Sequence, residues 1–222
     1  DEAGPTTSHE VEIGGLDPCT AYVFEVASTS PDCYSVADDN GGALFSFTTT
    51  AGTPVDFDAT DTPVAIPDNN VTGASSMITV VSPYAVVDVD LLVNITHTYT
   101  GDLRLFLIGP DGTSVLLSDR HGSSGDNFTD THFDDEAAVP VSGGSAPFTG
   151  SFQPDSPLAL LDGQPAAGVW TFKVVDSAGM DIGNNVDWQL QLKVNEPCGP
   201  SGTIFSDGFE GGDATAWSDI AP

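Results

Sequence analysis

Runs of β-branched and aromatic residues recur along the chain, separated by glycine, proline, asparagine and aspartate, and almost no stretch repeats its apolar residues at helical spacing. A chain patterned this way buries its apolar side chains through strands, whose side chains alternate between two faces. The predicted fold class is all-β. Candidate strands are His9–Ile13, Ala21–Ala27, Leu44–Thr49, Ser76–Val81, Ala85–His97, Leu103–Ile108, Ser114–Leu117, Val169–Val175 and Val186–Val194. Pro110-Asp111-Gly112-Thr113 supplies turn chemistry between two of them.

Apolar residues make up 39% of the 222 positions and 24 glycines accompany them, enough for a packed core and too much for an acidic disordered tail. The charge is one-sided, with 33 acidic against 4 basic side chains and a formal net charge of −29. Arg104, Arg120, Lys173 and Lys193 are the whole cationic inventory and lie apart in sequence. A nucleic-acid surface needs clustered cations, so nucleic acid is excluded as a partner, and anionic membranes with it. No stretch reaches the roughly 18 apolar residues of a membrane span. The sequence starts at Asp1 without Met or a signal peptide, which reads as a processed, soluble chain. Four cations cannot pair 33 carboxylates. Calcium, a hard cation bound by oxygen, is the expected counter-charge.

Cys19, Cys33 and Cys198 are an odd set, which leaves open one disulfide plus a thiol, a partner outside the chain, or three buried thiols. Cys19–Cys33 is the expected pair, closing a loop of thirteen intervening residues in an oxidising, extracellular setting. Residues 50–63 lack a sustained apolar pattern and read as a linker, so the expected divisions are 1–53, 54–195 and a tail of 196–222. The first segment offers three strands, short of the roughly seven of an independent sandwich, and leaves edges to be covered by upstream strands or by another chain.

The runs Ile95-Thr96-His97-Thr98-Tyr99-Thr100-Gly101-Asp102-Leu103 and Leu105-Phe106-Leu107-Ile108-Gly109-Pro110-Asp111-Gly112-Thr113 resemble the P domain, or P/Homo B domain, of secreted proprotein convertases and bacterial proteases. Gly125–Thr129 with Phe133–Ala137, Ala146–Phe152, and Gly168–Phe172 with Val175-Asp176 continue the resemblance over about 59–194. It implies a jelly-roll β-sandwich that is noncatalytic, often binds calcium, and sits beside a protease domain to aid folding, stability or substrate contact. Residues 16–49 resemble the last strands of a fibronectin type III or immunoglobulin-like domain, which makes that β-sandwich incomplete. Residues 202–218 resemble a C-terminal tail of exported bacterial proteins, and the expected localisation is secreted or cell-surface.

No subtilisin-type or zinc-protease motif is present, and His9, His97, His121 and His132 are isolated in sequence. Arg120-His121-Gly122 has a histidine-phosphatase look but one neighbouring arginine, too few to hold phosphate. Between Asp119 and Glu136 lie six carboxylates in eighteen residues, an acidic loop that repels itself without metal. Expected ligands are Asp126, Asp134 and Asp135, with Asp102 and Asp176 brought close by the jelly roll; Asp88 and Asp181 stand behind them. Turn capping by the same aspartates is the competing reading. Trp170 and Trp188 fall in strand patterns and are expected in the core, whereas Trp217 lies in the polar tail.

The expected function is a noncatalytic, calcium-stabilised structural protein whose protomers join into a filament or pilus-like fibre by strand complementation. It is motivated by the incomplete N-terminal half and the missing catalytic chemistry. The alternative is an accessory fragment of a secreted subtilisin-like or metalloprotease with an upstream protease domain as partner, and a third reading is a calcium-dependent adhesin.

Overall fold

The computed structural model describes residues 16–29, 35–38, 41–52 and 54–198. These fall into two compact units, one spanning Gly52–Glu196 and the other formed by the described residues before and after it.

The smaller unit contains β1 (Ala21–Phe24), β2 (Val26–Thr29), β3 (Ser35–Asp38) and β4 (Phe45–Thr48). β1 pairs antiparallel with β4, and Tyr22 stacks on Phe47 with ring centroids 5.7 Å apart. β2 pairs with β3. The expected single strand Ala21–Ala27 is therefore two strands, broken at Glu25, each with its own partner. The expected strand His9–Ile13 lies outside the described residues, as does Trp217.

A disulfide joins Cys19 to Cys198, with Cα atoms 5.4 Å apart and a sequence separation of 179. This corrects the expected Cys19–Cys33 bridge. Short sequence separation favours a pair only where the fold brings the Cβ atoms together, and here the fold seats Cys198 beside Cys19. Cys33 lies outside the described residues.

The larger unit carries β5 (Val55–Asp58), β6 (Val64–Ile66), β7 (Asn70–Val80), β8 (Val86–His97), β9 (Leu103–Ile108), β10 (Ser114–Asp119), β11 (Phe128–Phe133), β12 (Phe148–Phe152), β13 (Gly168–Asp176) and β14 (Gly183–Val194). They form two facing sheets of a β-sandwich. One has the order β10-β9-β13-β7; the other has the order β12-β11-β8-β14-β5, with β6 also paired to β14. All pairs are antiparallel except β11 with β12.

Period-two alternation builds the core. Leu103, Leu105 and Leu107 of β9 and Trp170, Phe172 and Val174 of β13 face Leu91, Val93 and Ile95 of β8 and Leu190 and Leu192 of β14, all buried. Each such side chain contributes about 2–3 kcal/mol on leaving water. Trp170 and Trp188 are core residues as expected, and both have their indole N–H satisfied: Trp170 donates to the Ala166 carbonyl at 2.9 Å and Trp188 to Ser76 Oγ at 2.6 Å. Ser76 Oγ in turn donates to Asp61, whose other carboxylate oxygen accepts the Met77 amide at 2.9 Å and so occupies a ladder group of the edge strand β7.

Two expectations change. Residues 50–63 hold a strand, β5, rather than a plain linker; Val55-Asp56-Phe57-Asp58 is too short a run to stand out and is fixed by pairing with β14. The acidic loop Asp119–Glu136 contains β11, where a bulge between Phe128 and Thr131, with Asp130 at φ +46°, shifts the alternation by one residue. Phe128, Thr131 and Phe133 all reach the core as a result.

Candidate metal centre

Val89 of β8 points into the core, so Asp88 and Asp90 on either side of it share the outer face of the six-stranded sheet. β11 runs antiparallel beside β8 with Phe133 opposite Leu91, and the chain leaving β11 carries Asp134, Asp135 and Glu136 past the two aspartates. Asp134 Oδ1 accepts the Glu136 amide at 2.6 Å, a turn that bends Glu136 back toward β8. Carboxylate oxygens of Asp88, Asp90 and Glu136 all lie within 4.8 Å of one another, the only such acidic or metal-ligating group of three among the described residues.

Three oxygens at that spacing match a sphere of about 2.4 Å radius, the coordination distance of calcium, and the donor set is hard oxygen throughout. Asp90 Oδ1 is buried and accepts no hydrogen bond. Burial, then the charges of Asp88, Asp134, Glu136 and Asp135, push the Asp90 carboxyl up to about 7. Glu136 is raised by burial and by its hydrogen bond with Asp134, and Asp162 by burial and the charges of Asp88 and Asp135. On the opposite flank, Lys193 of β14 stands directly across from Asp88.

The five ligands expected from sequence are distributed differently. Asp134 and Asp135 border the cluster, but both oxygens of Asp135 accept backbone amides, of Leu158 and Ala159, at 2.9 Å each, as a cap on the 3₁₀ turn Leu158–Leu161. Asp126 is exposed in its loop. Asp176 is fully buried against His97, with Nε2 to Oδ2 at 3.3 Å, while its Oδ1 accepts the Ala178 amide at 3.1 Å. Asp102 is raised by burial and then by the charges of Asp176 and Asp181, which places it beside that pair. Of the residues ranked second, Asp88 is in the cluster. Asp90 was missed, although Asp-Val-Asp in a strand carries its own signal: period two puts both acids on one face. Arg120-His121-Gly122 has no phosphatase geometry, since His121 Nε2 is held by Asp155 at 2.9 Å and Arg120 lies 3.8 Å from Asp119.

The raised carboxyls set a pH dependence for the metal-free protein. The folded form binds protons more tightly than the unfolded form between the ordinary Asp value of 3.8 and about 7, so the stability they confer is full below that window and lost as pH rises through it. Asp90 is only half-buried, so solvent screening discounts the effect. The melting temperature is expected to fall by about 3–5 °C from pH 5 to pH 8 after metal removal, by calorimetry. A rise over that range would contradict this reading of the cluster.

Residues 86–192, which include the cluster, match the proprotein convertase P-domain family. The leupeptin-inactivating enzyme 1 of Streptomyces exfoliatus is 34% identical over 146 residues, covering 63% of this chain and 27% of that protein. A calcium-dependent protease of Nostoc sp. is 28% identical over 130 residues, covering 57% of this chain and 17% of that protein. The chain thus spans about a quarter or less of the length of these relatives. The crystal structure of the Aeromonas sobria serine protease with its chaperone aligns with a TM-score of 0.45 at 16% identity, over 78% of this chain and 36% of that one. These relatives overturn the expected filament-forming structural protein: the matched proteins are enzymes, among them calcium-dependent proteases.

Proposed function

We propose, from the premise that residues 86–192 are a proprotein convertase P-domain, that this chain is a noncatalytic accessory segment of a secreted protease, and that calcium held by Asp88, Asp90 and Glu136 stabilises it. The observation that carries the reading is the coincidence of that match with the acidic cluster inside it. The names of the two calcium-dependent proteases support the choice of ion. The disulfide fits an oxidising compartment, and no helix among the described residues is long and apolar enough to cross a membrane. His97 and His121 are each engaged by a carboxylate, which supports a stabilising role for the unit.

The partner is then a protease domain on the same polypeptide. Peptide mapping of the native secreted protein is expected to find one, and deleting residues 54–195 from that polypeptide to lower secreted proteolytic activity at least about tenfold, while the 222-residue chain alone hydrolyses no peptide substrate. A native polypeptide without a protease domain, or peptidase activity in the isolated chain, would refute the proposal.

A further inference from the structure

The two outer faces of the sandwich differ in charge. The strands of the four-stranded sheet contain just two carboxylates, in a chain with 33: Asp176, which is buried, and Asp119 at the end of β10. The other sheet exposes Asp56 and Asp58 on β5, Asp130 on β11 and Asp187 on β14, besides the half-buried Asp88 and Asp90.

On the four-stranded sheet, burial of Leu103, Leu105, Leu107, Trp170 and Phe172 directs the residues between them outward. Phe106 is flanked by two cations, with the Arg104 guanidinium carbon 5.3 Å from its ring centroid and Lys173 directly opposite it on β13. Ile108 continues the apolar line, and Val169 and Met77 extend it at 46% and 53% exposure. At the rim Arg104 holds Asp119 at 3.0 Å, with Arg120 on the same carboxylate. Three of the chain's four cations therefore converge on or beside this face.

An antiparallel sheet facing only water reads polar on that side. This one sets an aromatic, a methionine and cationic side chains among Ser75, Thr79 and Thr171 and carries no exposed carboxylate but Asp119, and aromatic, methionine and arginine residues are enriched at protein interfaces where Asp and Glu are depleted. We infer that the outer face of the β10-β9-β13-β7 sheet, centred on Phe106, docks a protein surface that carries carboxylates around an apolar centre and lies outside these 222 residues. Charge complementarity selects that occupant: the cations attract an acidic rim, and three of the four cations of a chain whose net charge is −29 are gathered here.

The test is zero-length carbodiimide cross-linking of the native secreted protein, followed by peptide mapping at the two lysines. Lys173 is expected to form an amide with an Asp or Glu outside residues 1–222, while Lys193, across from Asp88, serves as the internal control. Phe106→Asp, with folding verified by circular dichroism, is expected to lower the Lys173 yield at least about fivefold, and 0.5 M salt to lower it about threefold. If Lys173 links only within these 222 residues, in the same chain or a second copy, or stays unlinked while Lys193 reacts, the inference is overturned. Whether the linked carboxylate belongs to a protease domain is read separately from its sequence, so the docking surface and the accessory-segment proposal fail independently.

Discussion

Asp176→Ala is expected to lower the melting temperature of the sandwich unit by about 10 °C. His97 Nε2 lies 3.3 Å from Asp176 Oδ2, while Nδ1 lies 2.9 Å from the Tyr99 carbonyl oxygen and 3.2 Å from the Tyr99 amide, and both side chains are fully buried. Removing the carboxylate strands the imidazole and the Ala178 amide together, and a buried polar group left unpaired costs about 1–3 kcal/mol. For a unit of this size each kcal/mol moves the transition by roughly 3–4 °C. Asp176→Asn keeps one acceptor oxygen and puts an amide donor in the other position, and should lose about half as much. Calorimetry of the two variants decides the matter, and an Asp176→Ala transition unchanged from wild type would show that the pair carries no stability. The calcium response of Asp176→Asn is expected to survive; its loss would return Asp176 to the ligand set read from the sequence.

Calcium added in large excess over its dissociation constant is expected to raise the transition of the metal-free protein by about 8 °C, since a ligand at about 100 times Kd contributes about 2.7 kcal/mol. Asp90→Asn should separate the cluster's two states. Without metal it removes one of several mutually repelling acids and relieves a raised carboxyl, so the variant should melt about 3 °C above wild type. With calcium the order should reverse, because the variant has lost a charged ligand and keeps less than about 2 °C of the increment. Tryptophan fluorescence can follow both through Trp170 and Trp188, which sit in the core. Equal calcium increments in wild type and Asp90→Asn would remove Asp90 from the site.

Strands whose alternation is unbroken were legible in the sequence: Leu103–Ile108 alternates buried and half-buried without interruption, and the turn after it closes with Gly112 at φ +90° and the Thr113 amide on Asp111 Oδ1. β11 was not legible, because its bulge breaks the period on which such reading rests. The acidic cluster fell between these cases. Counting acids found the crowded loop, but convergence depends on which strand lies beside it, and β8 meets the loop through a pairing across about forty residues of sequence. Asp135 shows the other limit, since the fold uses its two oxygens to cap a short turn, a role that composition does not distinguish from metal binding. The disulfide was misread for the same reason: nearness in sequence stood in for nearness in space.

The Cys19–Cys198 bond also changes how the chain carries load. Its two sulfurs bracket every strand described, so tension applied through polypeptide joined before Cys19 and after Cys198 passes across one covalent bond and leaves all four sheets outside the force path. Reduction would insert the 179-residue separation into that path, releasing about 600 Å of contour if the sandwich then unravelled. The thiol redox state thereby governs whether the sandwich acts as a mechanical bystander or as an extensible element in series with whatever it is joined to.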